Sequence, residues 1–350
     1  PIAKKIILDT IGVMLLGASP GYRSVWLTGE LAKADGGPPQ CTVVGRNFKA
    51  PLLAATLVNG IAGYSADGEG GWAAGIHTAA VLVPAALTVA EYTHATGADL
   101  IAALALGFEF MCRVWRAADT GRPYPHAFHP SAVYGHFGAA AVAGHLLRLD
   151  EKQYVNALGL AGINATGMIA WVDDPTEDSR GYVIGVATQS GVRAARLAQM
   201  GMGGPVRILD DAKYSIYDAF SGEMHLNRLV EGLGEDYWLA RAYGAKQYTC
   251  CGDLTSGVEA LHAIRERYGI QGDDIESFTH WVRPGRVQVI DNNPLKSHCS
   301  QYILSLAAVR GKIHPEDILN DQRSDPRISE LSRRARLLPE PALDAVVGGA

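Results

Sequence analysis

Apolar residues recur at helical spacing over most of the first two thirds of the chain. Ile7, Ile11 and Met14, for example, lie on one face of a helix with a period of about 3.6 residues. The same pattern, with Asp150 as a capping residue before one segment, predicts a series of helices. They cover residues 3–16, 51–65, 79–94, 98–117, 131–147, 151–166 and 185–200.

Several of these helices consist largely of alanine and glycine, as in "FGAAAVAGHLL" and "IAALALGFEF". Small residues on several faces let helices approach closely, which predicts a buried cluster of helices rather than a coiled coil. Strands and helices do not alternate, and the glycine-rich "GEGGWAAG" follows no predicted strand. The pattern therefore argues against a dinucleotide-binding fold.

The pattern changes after Cys250. "LTSGVEALHAIRERYGI" predicts a helix, "DDIESFTHWVRP" and "GRVQVID" predict strands, and "QYILSLAAVRG" returns to helix. "RISELSRRARLL" predicts a charged helix, and the closing "VVGGA" predicts no element. The sequence thus predicts a mostly α fold, with an all-α domain over residues 1–250 and a smaller α+β domain over residues 251–350.

Composition narrows the class of protein. Of 350 residues, 48% are hydrophobic and 19% charged, as in a globular protein with a large core. The net charge of −5 provides no basic surface for nucleic acid. Five cysteines without a CxxC pair argue against a disulfide framework and a zinc ribbon, and they fit a reducing compartment.

The first residues, "PIAKKIILDTIGVMLLGAS", resemble a signal peptide in having lysines before an apolar stretch. Asp9 interrupts that stretch, so we expect an ordinary amphipathic helix. No apolar run reaches the roughly 18 residues of a membrane span without interruption. We therefore expect a cytoplasmic protein with no membrane partner.

The segment "DGEGGWAAGIHTAAV", from Asp67 to Val81, places two carboxylates and a histidine between apolar helices. Asp67 and Glu69 could orient His77 or share a proton with it, as one wall of an active site. The alternative is a solvated connection in which the acids cap helix ends.

His129 precedes Pro130, which favours an extended residue followed by a helix start. A helix N-terminus disfavours added positive charge, so a neutral His129 could act as a general base or as a donor to an anion. The alternative is a packed capping residue without chemistry.

Arg180 lies in "PTEDSRGYVIG", before a helix of small residues. Its guanidinium suits bidentate capture of a carboxylate, whereas Glu177 and Asp178 offer a surface ion pair as the alternative. There is no HExxH motif, so we expect no metal, and the adjacent Cys250 and Cys251 fit packing better than nucleophilic catalysis.

Six segments together resemble the MmgE/PrpD family over about Leu8 to Gly311. They are "LDTIGVMLLGAS", "APLLAATLVNGIAGYSAD", "HTAAVLVPAALTVAE", "HPSAVYGHFGAAAVAGHLLRLD", "ALGLAGINATGM" and "QYTCCGDLTSGVEAL". The family includes 2-methylcitrate dehydratase, cis-aconitate decarboxylase and iminodisuccinate epimerase. The resemblance implies a large all-α domain with a smaller α+β lid, a homodimer, no metal or cofactor, and a small polycarboxylate substrate.

The resemblance also assigns residues. Asp67 and Glu69 match two acids of the family's loop, and His77 and His129 match its two catalytic histidines. The family's catalytic lysine falls on Arg180, which stays charged and can only bind an anion.

Three further family positions differ here: Gly70 replaces a third acid, Gly71 a threonine, and Val183 a histidine. Loss of the threonine hydroxyl and of one carboxylate predicts a more open loop with fewer hydrogen bonds to a substrate.

These residues predict a metal-free lyase for a small di- or tricarboxylate. His77 would act as base or acid and His129 would complete the proton path, while Arg180 holds a substrate carboxylate. Trp72 and His126 are further candidates for substrate contacts. Two alternatives stay open: an epimerase that uses both histidines, and a carboxylate-binding protein without catalysis.

Overall fold

The computed structural model describes residues 1–118, 127–210, 213–221, 224–242, 244–319 and 325–346. These residues are mostly helical, and their named strands form two small two-stranded sheets, which confirms the predicted fold class. Contacts divide the chain into two units. The first contains Pro1–Ile169 and Asp178–Ala245, and the second contains Ala170–Glu177 and Lys246–Ala350.

Helices make up most of the first unit. They are α1 (Ile2–Gly17), α2 (Arg23–Asp35), α3 (Leu52–Ser65), α4 (Thr78–Thr93), α5 (Gly97–Ala117), α6 (Pro130–Leu146), α7 (Glu151–Ile163), α8 (Asp178–Gln199) and α9 (Ile216–Phe220). A short antiparallel pair, β1 (Cys41–Thr42) and β2 (Lys49–Ala50), lies between α2 and α3. The pattern did not predict α2, which is largely polar and buries only a few small or short side chains.

Small residues bring α3 and α8 together, as their composition predicted. A Cβ added at Gly185 would lie 2.4 Å from Cγ1 of Ile61, and one at Gly60 would lie 2.9 Å from Cα of Gly185. Because neither helix can carry a larger side chain there, the two backbones meet closely. This contact fixes the end of α3 next to the start of α8.

Helix α6 is the most enclosed element of the first unit, since nearly all of its residues are buried. It packs against α4, α5, α7 and α8. A helix that is apolar on every side belongs inside a bundle, in agreement with the small residues of its sequence.

The second unit contains α10 (Gly252–Tyr268), α11 (Val287–Ile290), α12 (Ser300–Arg310), α13 (Pro315–Leu319), α14 (Pro326–Arg334) and α15 (Ala342–Val346). Strand β3 (Thr279–Val282) confirms the strand predicted in "DDIESFTHWVRP". It pairs in parallel with β4 (Arg336–Pro339), with Thr279 opposite Arg336.

Two predictions in this part of the chain are wrong. "GRVQVID" is not a strand, because a 3₁₀ turn at Pro284–Arg286 leads directly into α11. "RISELSRRARLL" is helical only as far as Arg334, since its last residues form β4. In addition, α8 begins at Asp178 rather than at residue 185, so Arg180 lies in its first turn.

Two segments that the sequence assigned to the helical domain pack with the second unit instead. They are residues 170–177 and 246–250. In the first of them, Glu177 accepts hydrogen bonds from the backbone N–H and the hydroxyl of Ser297. None of the described helices is both long and apolar enough to cross a membrane.

Candidate active site

Three helices of the first unit begin at the candidate site. His77 is the N-cap of α4, His129 is the N-cap of α6, and Arg180 lies in the first turn of α8. Neither histidine caps its own helix through its side chain. Each imidazole can therefore make contacts within the site.

The loop from Ala66 to His77 follows α3 and leads into α4. Ala74 and Gly75 both have positive φ angles, and mutual backbone hydrogen bonds between Ala73 and Ile76 close a tight turn of type I′ around them. The indole of Trp115 donates to the carbonyl of Ala74 at 3.0 Å. The turn is thus fixed from α5 before the chain reaches the histidine.

The start of this loop is also held. Oδ2 of Asp9, on α1, accepts the backbone N–H of Gly70 at 3.0 Å. The pKa of the Asp9 carboxyl is raised above its usual value, mainly because the side chain is partly buried. The hydrogen bond from Gly70 lowers this pKa by a smaller amount, and the nearby charge of Glu69 adds to the rise. The Thr78 hydroxyl donates to the carbonyl of Gly71 at 2.6 Å.

The two glycines that depart from the family pattern do not open the loop, contrary to our expectation. A Cβ at Gly71, where φ is +64°, would lie 2.5 Å from Cβ of Ala79. A Cβ at Gly70 would lie 2.3 Å from the carbonyl oxygen of Gly244. Both positions are closely packed, so these glycines bring the loop against its neighbours.

The site contains a buried cluster of charged side chains. Asp67, Glu69 and Arg180 are 2%, 0% and 1% exposed. Nη2 of Arg180 lies 2.7 Å from Oδ1 of Asp67 and 3.7 Å from Oε1 of Glu69. Nη1 of Arg180 also donates to the backbone carbonyl of Tyr64. The guanidinium is therefore bound mainly to the protein itself.

His77 lies over this group. Its Nδ1 is 2.6 Å from Oε1 of Glu69, and its backbone N–H donates to the Ser131 hydroxyl at 3.0 Å. The ring of Trp72 lies 4.1 Å from the imidazole centroid, and the indole N–H donates to the carbonyl of Glu69. Trp72 and Glu69 thus orient one imidazole from two sides.

His129 is the second imidazole of the site and is 3% exposed. Its ring centroid lies 5.8 Å from that of His77, with the two planes inclined by 28°. Nε2 of His129 is 3.3 Å from the Tyr64 hydroxyl. Two imidazoles therefore lie next to each other, one beside a carboxylate and the other beside a phenol.

Charged and titratable side chains meet in the site. The carboxylates of Asp67 and Glu69 and the guanidinium of Arg180 are buried together. His77 is the imidazole in contact with a carboxylate. A carboxylate beside an imidazole suits proton transfer through that ring.

Six of the seven predicted site residues lie together: Asp67, Glu69, Trp72, His77, His129 and Arg180. His126 lies outside the described residues. The solvated-loop alternative is wrong because both carboxylates are buried. The surface-pair alternative for Arg180 is also wrong, since Arg180 binds Asp67.

Sequence analysis missed Tyr64 and Ser131. Tyr64 belongs to the last turn of α3, and its ring contacts His77, His129 and Arg180. A signal was available, because an aromatic hydroxyl in "NGIAGYSAD" interrupts a run of small residues directly before the acidic loop.

Among the residues that the structure describes, no group of three or more His, Cys, Asp or Glu side chains is placed to hold a metal ion. The absence of a metal from the reaction stays a prediction.

Comparison with known proteins identifies similar chains. The sequence model of the MmgE/PrpD N-terminal domain matches residues 2–228, and that of the MmgE/PrpD C-terminal domain matches residues 248–346. The cis-aconitate decarboxylases of Homo sapiens and Mus musculus are 29% and 27% identical to this chain. Each alignment covers 96% of this chain, and 71% and 70% of the relatives. The 2-methylcitrate dehydratase of Escherichia coli is 25% identical over 59% of this chain and 44% of its own length.

Proposed function

Because the chain belongs to the MmgE/PrpD family, we propose that it is a lyase that acts on a small tricarboxylate through proton transfer by histidine. The observation that carries this proposal is the pair of imidazoles 5.8 Å apart beside buried carboxylates. Proton transfer next to a carboxylate needs a positioned base or acid and an environment that restricts water. His77 and His129 supply such groups in a largely enclosed site.

The decarboxylase type is the first to test. The similarity to the cis-aconitate decarboxylases extends over 96% of this chain, whereas that to the 2-methylcitrate dehydratases covers less of it. Loss of carbon dioxide from cis-aconitate leaves an electron pair on carbon, and one proton must be delivered to form itaconate. A dehydratase would instead remove a proton from carbon and protonate the departing hydroxide.

His77 is the proposed proton carrier. Glu69, 2.6 Å from Nδ1, favours a hydrogen on that nitrogen and leaves Nε2 to exchange a proton with the substrate. To deliver the proton in a decarboxylation, His77 must first hold it as an imidazolium, which the Glu69 carboxylate stabilises, and the ring becomes neutral when Nε2 gives the proton to carbon. His129 is the proposed second group of the proton path.

Arg180 has a different proposed role from the one expected. We expected its guanidinium to bind a substrate carboxylate, but Asp67 and the Tyr64 carbonyl occupy it in this structure. Arg180 therefore acts as a positioning residue that fixes Asp67 and adds positive charge to the site. The helix N-termini at His77 and His129 favour an anionic substrate.

We expect no metal ion or cofactor in the reaction, a homodimer, and a cytoplasmic location. Trp72, packed on the His77 ring, stays a candidate for substrate contact, as does His126.

Proton NMR in D₂O with EDTA tests the function. The substrates are cis-aconitate, trans-aconitate, citrate, 2-methylcitrate, malate and amino-dicarboxylates. We expect itaconate from cis-aconitate, with deuterium introduced at carbon, and no product from the His77→Asn variant. A new alkene from citrate or 2-methylcitrate would instead identify a dehydratase.

Two other results would contradict the lyase proposal. Deuterium uptake without elimination or loss of carbon dioxide would identify an epimerase. Binding of these compounds without any exchange or turnover would identify a carboxylate-binding protein.

A further inference from the structure

Tyr64 connects three groups of the site. It is 1% exposed, and its hydroxyl lies 3.3 Å from Nε2 of His129. Cζ of Arg180 lies 3.9 Å from the centroid of the phenol ring. His77 meets the same ring edge-on, with centroids 4.9 Å apart.

We infer that Tyr64 is a positioning residue that sets the tautomer of His129, with its hydroxyl donating to Nε2 so that the hydrogen of the neutral imidazole lies on Nδ1. The inference rests on the proposed function for its catalytic meaning, but the tautomer itself is a property of the resting protein.

Three features favour this direction of the hydrogen bond. His129 begins α6, and the helix N-terminus disfavours an imidazolium, so the ring has one donor and one acceptor nitrogen. The guanidinium of Arg180 over the phenol face draws electron density from the ring and makes the hydroxyl a better donor. An imidazole nitrogen is also a better acceptor than a phenol oxygen.

The phenol can perform this role only if its position is fixed. The backbone carbonyl of Tyr64 accepts from Arg180, and the ring of Tyr64 lies beneath the same guanidinium. Close glycine contacts between α3 and α8 hold the two backbones together one turn away. Tyr64 is therefore held at its backbone, its ring face and its hydroxyl.

The result is that the two imidazoles differ in function. Oε1 of Glu69 lies 2.6 Å from Nδ1 of His77, whereas the Tyr64 hydroxyl lies 3.3 Å from Nε2 of His129, so a different ring nitrogen of each histidine faces its polar neighbour. Unlike environments of two neighbouring titratable groups are what gives each of them a separate role in acid–base chemistry. Tyr64 is thus the residue that makes the two histidines unlike each other.

The test is the Tyr64→Phe variant, which keeps the ring over Arg180 and removes only the hydroxyl. Two-bond ¹H–¹⁵N spectra of histidine-labelled protein distinguish the two tautomers, and loss of a signal in His129→Gln assigns His129. We expect the Nδ1–H tautomer in the wild type and a mixture, or Nε2–H, in Tyr64→Phe. Tyr154→Phe is the control, because it removes a partly buried hydroxyl bonded to the Ala141 carbonyl on α6.

Turnover gives a second readout. In Tyr64→Phe we expect kcat to fall by about 3- to 10-fold with KM nearly unchanged, the range for loss of one hydrogen bond. We expect Tyr154→Phe to match the wild type. A kcat equal to that of the wild type in Tyr64→Phe would overturn the catalytic role of Tyr64.

The wild-type spectrum tests the inference even if Tyr64→Phe does not fold. A wild-type His129 with its hydrogen on Nε2 overturns it, and so does a Tyr64→Phe spectrum identical to the wild type. If the wild type turns over none of the tricarboxylates, the proposed lyase function fails, whereas the tautomer assignment is still tested by the same spectra.

Discussion

Asp67 pairs with the Arg180 guanidinium in a region that water hardly reaches. The side chains of Asp67 and Arg180 are 3% and 1% exposed, and their atoms are 2.7 Å apart. Asp67→Asn leaves a buried cation without its main partner, which costs about 3–5 kcal/mol of unfolding free energy. Urea denaturation measures this loss.

The matched control for Asp67→Asn is Asp236→Asn. Asp236 pairs with Arg241 at 2.6 Å, but these side chains are 68% and 53% exposed. Removal of an exposed ion pair costs less than about 1 kcal/mol. Equal losses in the two variants would show that burial does not govern the Asp67–Arg180 pair.

The Glu69→Gln variant tests whether His77 carries the proton during turnover. Glu69→Gln keeps the size of the side chain but removes the charge that stabilises an imidazolium 2.6 Å away. We expect kcat to fall by about 10²-fold, the lower end of what a positioned acid–base group contributes, with little change in KM. Steady-state kinetics with Glu30→Gln, an exposed acid on α2, provides the comparison. An unchanged kcat in Glu69→Gln would mean that His77 does not carry the proton.

His136 makes stability depend on pH. Burial lowers the pKa of this residue to about 4, against a weaker opposing effect of its hydrogen bond to the Ala132 carbonyl. The unfolded chain then binds the proton first as the pH falls below about 6.5. Stability is full above that pH and declines by about 3 kcal/mol down to about pH 4, because each pKa unit is worth about 1.4 kcal/mol.

The measurement compares urea unfolding of the wild type and His136→Gln between pH 4 and pH 8. The variant should lose less stability on acidification, and the two proteins should have parallel pH dependence above pH 7. Parallel curves over the whole range would contradict a buried neutral His136.

At the scale of elements, the loop before α4 depends on where its glycines lie. Gly71→Ala puts a methyl group 2.5 Å from Cβ of Ala79 at a positive φ, so strain and overpacking add to about 2–4 kcal/mol. Gly75→Ala meets nothing within 4 Å at a similar φ, and only the backbone strain of about 1 kcal/mol applies. Urea unfolding of the two variants separates the effects. Equal losses of unfolding free energy in the two variants would mean that the loop shifts to make room for the methyl group at position 71.

The elements that could be predicted are those with local signals. Asp150 caps α7 as expected, because its side chain accepts the N–H of Gln153 within the same turn. Strand β4 has no such signal, since it follows directly on a charged helix and pairs with β3 far away in the sequence. "GRVQVID" alternates like a strand, but Val289 and Ile290 are both buried in succession, as a short helix allows.

At the scale of the molecule, proximity of the site residues could be predicted only through family resemblance and the position of the acidic loop. The separation of 111 residues or more between Arg180 and the acids Asp67 and Glu69 leaves no spacing signal in one sequence. What Arg180 binds could not be predicted, because its carboxylate partner is set by the close approach of α3 and α8. The same approach decides the contacts of Tyr64, which the sequence did not mark as chemical.

Binding by the whole protein separates an enzyme from a carboxylate-binding protein. Propane-1,2,3-tricarboxylate has the three carboxylates of the proposed substrate but no double bond, so it should bind without reaction. At 100 times its Kd, a ligand that binds only the folded state adds about 2.7 kcal/mol to the free energy of unfolding. Differential scanning fluorimetry should therefore show a concentration-dependent rise in Tm that acetate does not reproduce.

His77→Asn should keep this rise and lose turnover of cis-aconitate, since the proposed role of His77 is proton transfer rather than binding. A variant that keeps both would exclude His77 from the chemistry, and a wild type that shows the rise with no turnover of any tricarboxylate would place this chain among binding proteins on an enzyme fold.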